Sequence, residues 1–206
     1  MTKDEVLLQL KNNLNFRESD IDKLEIFHEE LLKYNNKYNL ISTSTENDIW
    51  GRHILDSAQL VKFINFHDNL SLSDLGTGAG FPGIVLAIFN RNTKFHVKLY
   101  EKSRVKIKFL NFLCDKLNIK AEIYESDYRS HNITSNYVVS RAFKKLKEHL
   151  RISRETIKVS HKLIILKGKS AQEEIKQLNN NYNYSYNLQR SITSAESKIV
   201  IVDIKK

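Results

Sequence analysis

A chain of 206 residues, 41% of them apolar and with no unbroken apolar run near 18 residues, is expected to fold as one well-buried domain without a membrane-spanning helix. Lys and Arg exceed Asp and Glu by 33 to 24, and the net charge of +9 suits a polyanionic partner and disfavours a basic one. The start Met1-Thr2-Lys3-Asp4-Glu5 lacks the apolar stretch of a signal peptide, and the single Cys114 makes no internal disulfide, so a cytoplasmic location is expected.

Thr2-Lys3-Asp4-Glu5 reads as a capping box opening a short helix with Val6, Leu7, Leu10 and Leu14 on its apolar side. Ser19-Asp20-Ile21-Asp22 is a second start signal. It leads a stripe of Leu24, Phe27, Leu31, Tyr34 and Tyr38 at three- and four-residue spacing, one helix face that packs on the rest of the chain. After the polar run Ser42-Thr43-Ser44-Thr45, a third helix carries Ile49, Leu60, Val61 and Ile64. Residues 1–65 therefore predict a helical N-terminal extension, and 66–206 an α/β core within the same domain.

Strands and helices alternate from Leu70 onward. The expected strands are Leu70 to Leu75, Phe95 to Tyr100, Ala121 to Tyr124, Tyr137 to Ser140 and Leu163 to Leu166. Helices run between them to Phe89, Leu117 and about Lys158, and a last one ends at Leu178. This is a doubly wound α/β pattern with a mostly parallel sheet. Two more strands, Tyr184 to Arg190 and Ile199 to Ile204, suit a hairpin at the sheet edge, entered through the loop-like tract Asn179-Asn180-Asn181-Tyr182-Asn183-Tyr184. Cys114 lies in the helical pattern of Val105, Phe109, Phe112, Leu113 and Leu117 and reads as a core or near-core thiol, not a nucleophile.

The densest signal is Asp74-Leu75-Gly76-Thr77-Gly78-Ala79-Gly80-Phe81-Pro82-Gly83. Four of the six glycines fall within eight positions, directly after a strand and before an apolar helix. Such a turn brings backbone close to a cofactor and offers helix N-terminal amides to a polar ligand. Gly78 to Gly83 also fits G-x-G-x-x-G, so a nicotinamide dinucleotide is one reading. The other rests on Asp74 with Gly76, Gly78 and Gly80, a D-x-G-x-G-x-G run that resembles the first motif of S-adenosylmethionine-dependent methyltransferases. An acid for ribose hydroxyls is then expected about 20 residues on, at the end of the next strand, where Glu101 stands.

A second constellation is Arg52-His53-Ile54-Leu55-Asp56-Ser57. On a regular helix Arg52 and Asp56 are four apart, His53 and Asp56 three, and His53 and Ser57 four, so these side chains can converge, or can form only a surface ion pair with a satisfied histidine. A hydrolase triad is excluded, because a serine nucleophile needs a strained, exposed turn. Basic residues cluster at Lys102, Arg104, Lys106 and Lys108 and again at Arg141, Lys144, Lys145, Lys147, Arg151 and Arg154, as a nucleic-acid partner requires.

Asn39-Leu40-Ile41-Ser42, Arg52-His53-Ile54-Leu55-Asp56-Ser57, the Asp74 to Gly83 run, Ser140-Arg141-Ala142-Phe143 and Leu166-Lys167-Gly168 together resemble the glucose-inhibited division protein B family. The resemblance implies a class I, Rossmann-like methyltransferase that takes S-adenosylmethionine and methylates N7 of a guanine in 16S ribosomal RNA. Its partner would be the RNA, the small ribosomal subunit or an assembly intermediate, with no metal and no membrane. It also implies that Asp74, Gly76, Gly78, Gly80, Phe81, Glu101, Ser126, Asp127 and Arg141 hold the cofactor. Arg141 with Arg52, His53 and Asp56 would line the pocket mouth and hold guanine and phosphate.

What the sequence lacks agrees with that chemistry. Exocyclic amine methylation usually calls for an Asn/Asp-Pro-Pro-aromatic motif, yet Ser140-Arg141-Ala142-Phe143 stands there and the only proline is Pro82. Pyrimidine carbon-5 methylation needs a cysteine nucleophile, and Cys114 is badly placed. Guanine N7 needs neither, because it carries a bare lone pair and loses no proton. Two further readings remain open: a ribose 2′-O-methyltransferase with Lys144 or Lys167 as base, and a non-catalytic RNA-binding assembly factor on the same fold.

Overall fold

A computed structural model describes residues 1–67, 69–141, 144–177 and 185–206. The Asn179 to Tyr184 tract, and the Ala142-Phe143 half of the fourth motif, lie outside them.

Helix α1 (Lys3–Leu8) opens on the expected capping box. Glu5 N–H donates to Thr2 Oγ1 at 3.2 Å, and Thr2 N–H to Glu5 Oε2 at 2.8 Å. Helix α2 (Glu18–Tyr38) begins just before the Ser19 signal, because Asp20 reaches back to accept the Arg17 amide at 2.8 Å; it ends at Asn39, in the left-handed conformation that asparagine tolerates. Leu24, Phe27 and Leu31 are buried as the stripe requires, whereas Tyr38 is exposed.

The third predicted helix is broken into pieces: α3 (Thr43–Glu46), a π-helical turn (Trp50–Leu55), α4 (Asp56–Ala58) and a 3₁₀ turn (Gln59–Phe63). Gly51, second in the wide turn, is pressed against Asp48, which accepts its N–H at 3.2 Å; a Cβ there would lie 2.5 Å from Asp48 Oδ1. The wider turn changes the angular spacing of residues 52 to 57 from that of a regular helix.

The sheet contains β1 (Ser71–Leu75), β2 (His96–Glu101), β3 (Glu122–Glu125), β4 (Tyr137–Arg141), β5 (His161–Lys167), β6 (Tyr186–Arg190) and β7 (Lys198–Ile204), in the order β3-β2-β1-β4-β5-β7-β6. The first five strands pair in parallel and the β7 and β6 edge is antiparallel. Between them run α5 (Gly83–Phe89), α6 (Arg104–Leu117), α7 (Leu146–Thr156) and α8 (Ala171–Lys176). The order reverses at β1 and β4, so the carboxyl ends of these two strands open a crevice of the kind in which α/β sheets bind ligands.

Alternation along the strands divides the core in two. Leu72, Val97, Leu99, Val139 and Ile164 join Leu24, Phe27, Leu31, Ile54, Phe81 and Phe109 in one apolar cluster that runs from the N-terminal helices through α5 and α6. Leu75, Tyr100, Val138, Leu163 and Val200 face α7 and α8 in the other. Cys114 is buried in the first cluster, as read, and burial pushes its thiol up to about 11.

Candidate active site

Loop 76–82 bends over the end of β1 through three glycines in the positive-φ region, Gly76 at 71°, Gly78 at 62° and Gly80 at 102°. Gly78 and Gly80 have different surroundings. A Cβ on Gly80 would strike Ile84 at 2.6 Å, so this glycine lets the loop pack on α5. A Cβ on Gly78 would have nothing nearer than the Gly76 carbonyl and Lys106 Nζ, both at 3.9 Å, so its backbone faces open space.

Asp74 is fully buried beneath this loop, where Oδ2 accepts the Gly83 amide at 2.8 Å. Burial pushes its carboxyl up to about 7 against the Thr77 hydroxyl and the Gly83 amide. The amide at the start of α5 is therefore occupied by Asp74 and is not turned to a ligand, contrary to the expectation for this helix. Glu101 supports the loop from the other side. Its Oε2 accepts the Gly78 amide at 2.9 Å, and its Oε1 those of Lys102 and Ser103, both at 2.9 Å. Beside it, Ser126 N–H donates to the Glu101 carbonyl at 3.1 Å, Ser126 Oγ meets His131 Nε2 at 2.6 Å, and Asp127 pairs with Arg129 at 2.5 Å. That pairing holds the Asp127 carboxyl down to about 2.

The Gly78 surface opens on a cavity of about 260 Å³, lined by Leu40, Ile41, Ser42, Thr45, His53, Gly76 to Ala79, Phe81, Lys106 and Arg141. A second, of about 730 Å³, is bounded by Arg52, His53, Asp56, Arg141, Lys167 to Lys169 and residues of the 193–197 loop. Thr45, His53 and Arg141 belong to both, so they form the wall between a small chamber over the glycine loop and a larger one beyond it.

The partition is tightly built. Arg141, at the end of β4, donates to His53 Nδ1 at 2.5 Å and to the Arg52 carbonyl at 3.3 Å, and its guanidinium lies 5.2 Å from the Phe81 ring centre. Phe81 is itself held between Phe27 at 4.8 Å and His53 at 5.0 Å. Burial, then the Arg141 and Arg52 charges, lower the His53 pKa to about 3. The ring is neutral with Nδ1 accepting, so its proton sits on Nε2, a buried donor that has no partner among the described residues.

Of the side chains predicted to converge, His53 and Arg141 meet, but Arg52 and Asp56 do not pair. The π-helical turn leaves Arg52 exposed, and Ser57 Oγ donates to the His53 carbonyl at 2.6 Å. Asp56 Oδ1 instead accepts from Gln59 Nε2 at 2.8 Å, Thr193 Oγ1 at 3.0 Å and Ser191 Oγ at 3.3 Å. Gln59, Ser191 and Thr193 were not legible as site residues, since no motif marks them and 132 residues separate Gln59 from Ser191. Gly76, Gly78, Phe81 and Arg141 line the small chamber; Asp74, Gly80, Glu101, Ser126 and Asp127 stand behind or beside it.

An open cradle at Gly78, an acid on its amide and a buried unpartnered donor in the partition fit a small polar cofactor. Solved structures similar in shape include methyltransferases. A SAM-dependent methyltransferase from Aquifex aeolicus matches with a TM-score of 0.60 at 15% identity, covering 82% of this chain and 97% of that one. Aeropyrum pernix fibrillarin with bound S-adenosyl-L-methionine matches at 0.52 and 8% identity over 68% of each chain. The fold is thus that of the Rossmann-like, S-adenosylmethionine-dependent methyltransferases.

Sequence narrows this class. A family model described as rRNA small subunit methyltransferase G matches residues 20–201. Ribosomal RNA small subunit methyltransferase G of Rickettsia bellii is 36% identical over 187 residues, 90% of this chain and 95% of the relative; that of Pelagibacter ubique is 31% identical over 202 residues, 96% and 93%. The chain belongs to the rRNA small subunit methyltransferase G family, and its cofactor is S-adenosylmethionine.

Proposed function

We propose that this protein methylates N7 of a guanine in 16S ribosomal RNA, with the cofactor over the glycine loop and the base in the larger chamber. The observation that carries this is the shared His53–Arg141 wall, where two chambers of different size meet. Bound adenosylmethionine supplies a sulfonium methyl. Gly76 and Gly78 would hold its methionine end, Glu101, which keeps acceptor capacity on Oε2, would take a ribose hydroxyl, and Ser126 and Asp127 beside Glu101 would take the adenine.

Transfer of that methyl to the N7 lone pair would release no proton, so the residues around the base need supply only binding, orientation and exclusion of water. The side chains agree with a reaction that needs no base. His53 is neutral with its acceptor nitrogen taken by Arg141, and Asp56 is enclosed by three donors. Positioning and exclusion of water then do the work, an effect on the order of 7 to 11 kcal/mol. Arg141 and Arg52 supply cationic donors for guanine O6 and phosphate.

The 2′-O-methyl reading finds less support, because Lys167 Nζ is held by Glu174 at 2.8 Å and the Lys144 carbonyl at 2.9 Å, while Lys144 pairs with Glu148. Cys114 lines neither chamber, so carbon-5 methylation lacks a nucleophile. The apolar cluster shared by the N-terminal helices and the sheet supports one catalytic domain over residues 1–206. Location in the cytoplasm, and action on the small subunit or an assembly intermediate, follow from an RNA substrate. Labelled adenosylmethionine incubated with small subunits and their precursors tests the reading: label is expected in N7-methylguanosine, and transfer to the ribose or to nothing refutes it.

A further inference from the structure

N7 is a bare lone pair in adenine as well as in guanine, so a site that methylates only guanine must read another edge of the base. Guanine differs by presenting two parallel donors, N1–H and the N2 amino group, on the side of the purine away from N7. A carboxylate matches that pair with two acceptor oxygens, whereas adenine turns the lone pair of N1 toward it. The chamber beyond His53 and Arg141 is lined by three carboxylates. Asp56 is enclosed by Gln59, Ser191 and Thr193, and Asp48 accepts the Gly51 amide. The Glu196 carboxylate accepts no hydrogen bond from the described residues, and its side chain is exposed.

Glu196 is also carried on a loop that is fixed from behind. Gln59 Nε2 donates to Ser191 Oγ at 3.0 Å, and Gln59 Oε1 accepts the Ile192 amide at 2.9 Å. Thr193 and Ser191 add their bonds to Asp56, and the Ser191 amide closes the turn on the Ser197 carbonyl at 3.2 Å. The loop between β6 and β7 is thereby tied to the same helical segment that carries His53.

Building on the guanine-N7 reading above, we propose that Glu196 is the guanine-specificity residue, accepting N1–H and the N2 amino group, with Asp56 and Gln59 as positioning residues that fix its loop. Arg141 and His53 bound the side of the chamber nearest the cofactor, and Glu196 stands on the loop side.

The test uses the full-length protein and small subunits carrying either guanosine or, by splinted ligation, inosine at the methylated position. Inosine keeps N7, O6 and N1–H but lacks the N2 amino group. The wild type should prefer guanosine by ~10-fold or more in kcat/KM. Glu196→Gln should lower kcat/KM on guanosine by roughly 10- to 100-fold and erase the preference, with unchanged melting temperature and unchanged calorimetric Kd for adenosylmethionine. Thr193→Val, which removes one anchor on Asp56, should raise KM for the RNA and leave that Kd unchanged. A Glu196→Gln enzyme with wild-type kcat/KM and an undiminished preference overturns the proposal while leaving the N7 reading intact. A wild-type enzyme that methylates no guanine N7 removes both.

Discussion

The pair of Arg141 and His53 shows how one contact decides what a site does. A histidine beside the reacting base invites a general-base assignment, but its acceptor nitrogen is taken by the guanidinium and its pKa is lowered to about 3. It is then a donor at Nε2 and a wall, and the rate should show no ionisation of His53 near neutral pH. On the proposed reading Gly78 is the glycine whose freedom the cofactor needs, since a Cβ there would meet nothing nearer than 3.9 Å. Gly78→Asp places a carboxylate in that chamber next to Glu101, which already occupies the Gly78 amide. Calorimetry should find adenosylmethionine bound at least ~100-fold more weakly, a loss of ~3 kcal/mol. Cys114→Ser is the contrasting case. The buried thiol lines neither chamber, so the variant should lose roughly 1 kcal/mol of stability in a denaturant titration and keep its kcat; an inactive but folded variant would revive a cysteine mechanism.

The glycine loop and the segment from Trp50 to Phe63 were unequally legible as elements. The loop announced itself because glycine density after a strand has few structural causes, and the Glu101 spacing follows from the length of one helix and one strand. Which glycine faces the ligand did not follow, since that depends on what packs behind each one: Ile84 behind Gly80, Asp74 and Leu99 behind Gly83, and open space before Gly78. Residues 50–63 read as one regular helix because apolar periodicity does not register a single wide turn, and Asp56 is taken up by Gln59, Ser191 and Thr193 instead of Arg52. Asp74 illustrates a sequence signal with an altered meaning, a motif acid that anchors the start of α5 from below. Its folded pKa of about 7 lies above the ordinary 3.8, so the native state holds a proton that the unfolded chain has released. Stability is full below pH 4 with respect to this group and falls as pH rises toward 7, by up to ~4 kcal/mol. Asp74→Asn should flatten that slope in melting curves taken between pH 4 and 8; an unchanged slope would place the charge elsewhere.

Across the whole molecule, the strand order opens one crevice where it reverses at β1 and β4, and 33 basic against 24 acidic residues give a net charge of +9. A mostly parallel sheet was readable from the alternation of strands and helices, and two tail strands suited the hairpin edge of the methyltransferase class that the chain resembles. The bonds that join Gln59 and Asp56 to Ser191 and Thr193 were not readable, because closure between distant segments leaves no local periodicity. With RNA as partner, affinity should fall linearly in log–log form with salt, and Lys169→Ala, at the rim of the larger chamber, should reduce that slope by roughly one. A slope unaffected by salt would remove electrostatics from recognition. On the proposed reading the chamber beyond Arg141 presents guanine N7 to the cofactor's methyl. Mass mapping of small-subunit RNA from cells with and without this protein should find one N7-methylguanosine that disappears with the protein and returns with the wild type but not with Gly78→Asp. An identical set of modified guanines in both RNAs would rule out guanine-N7 transfer by this protein.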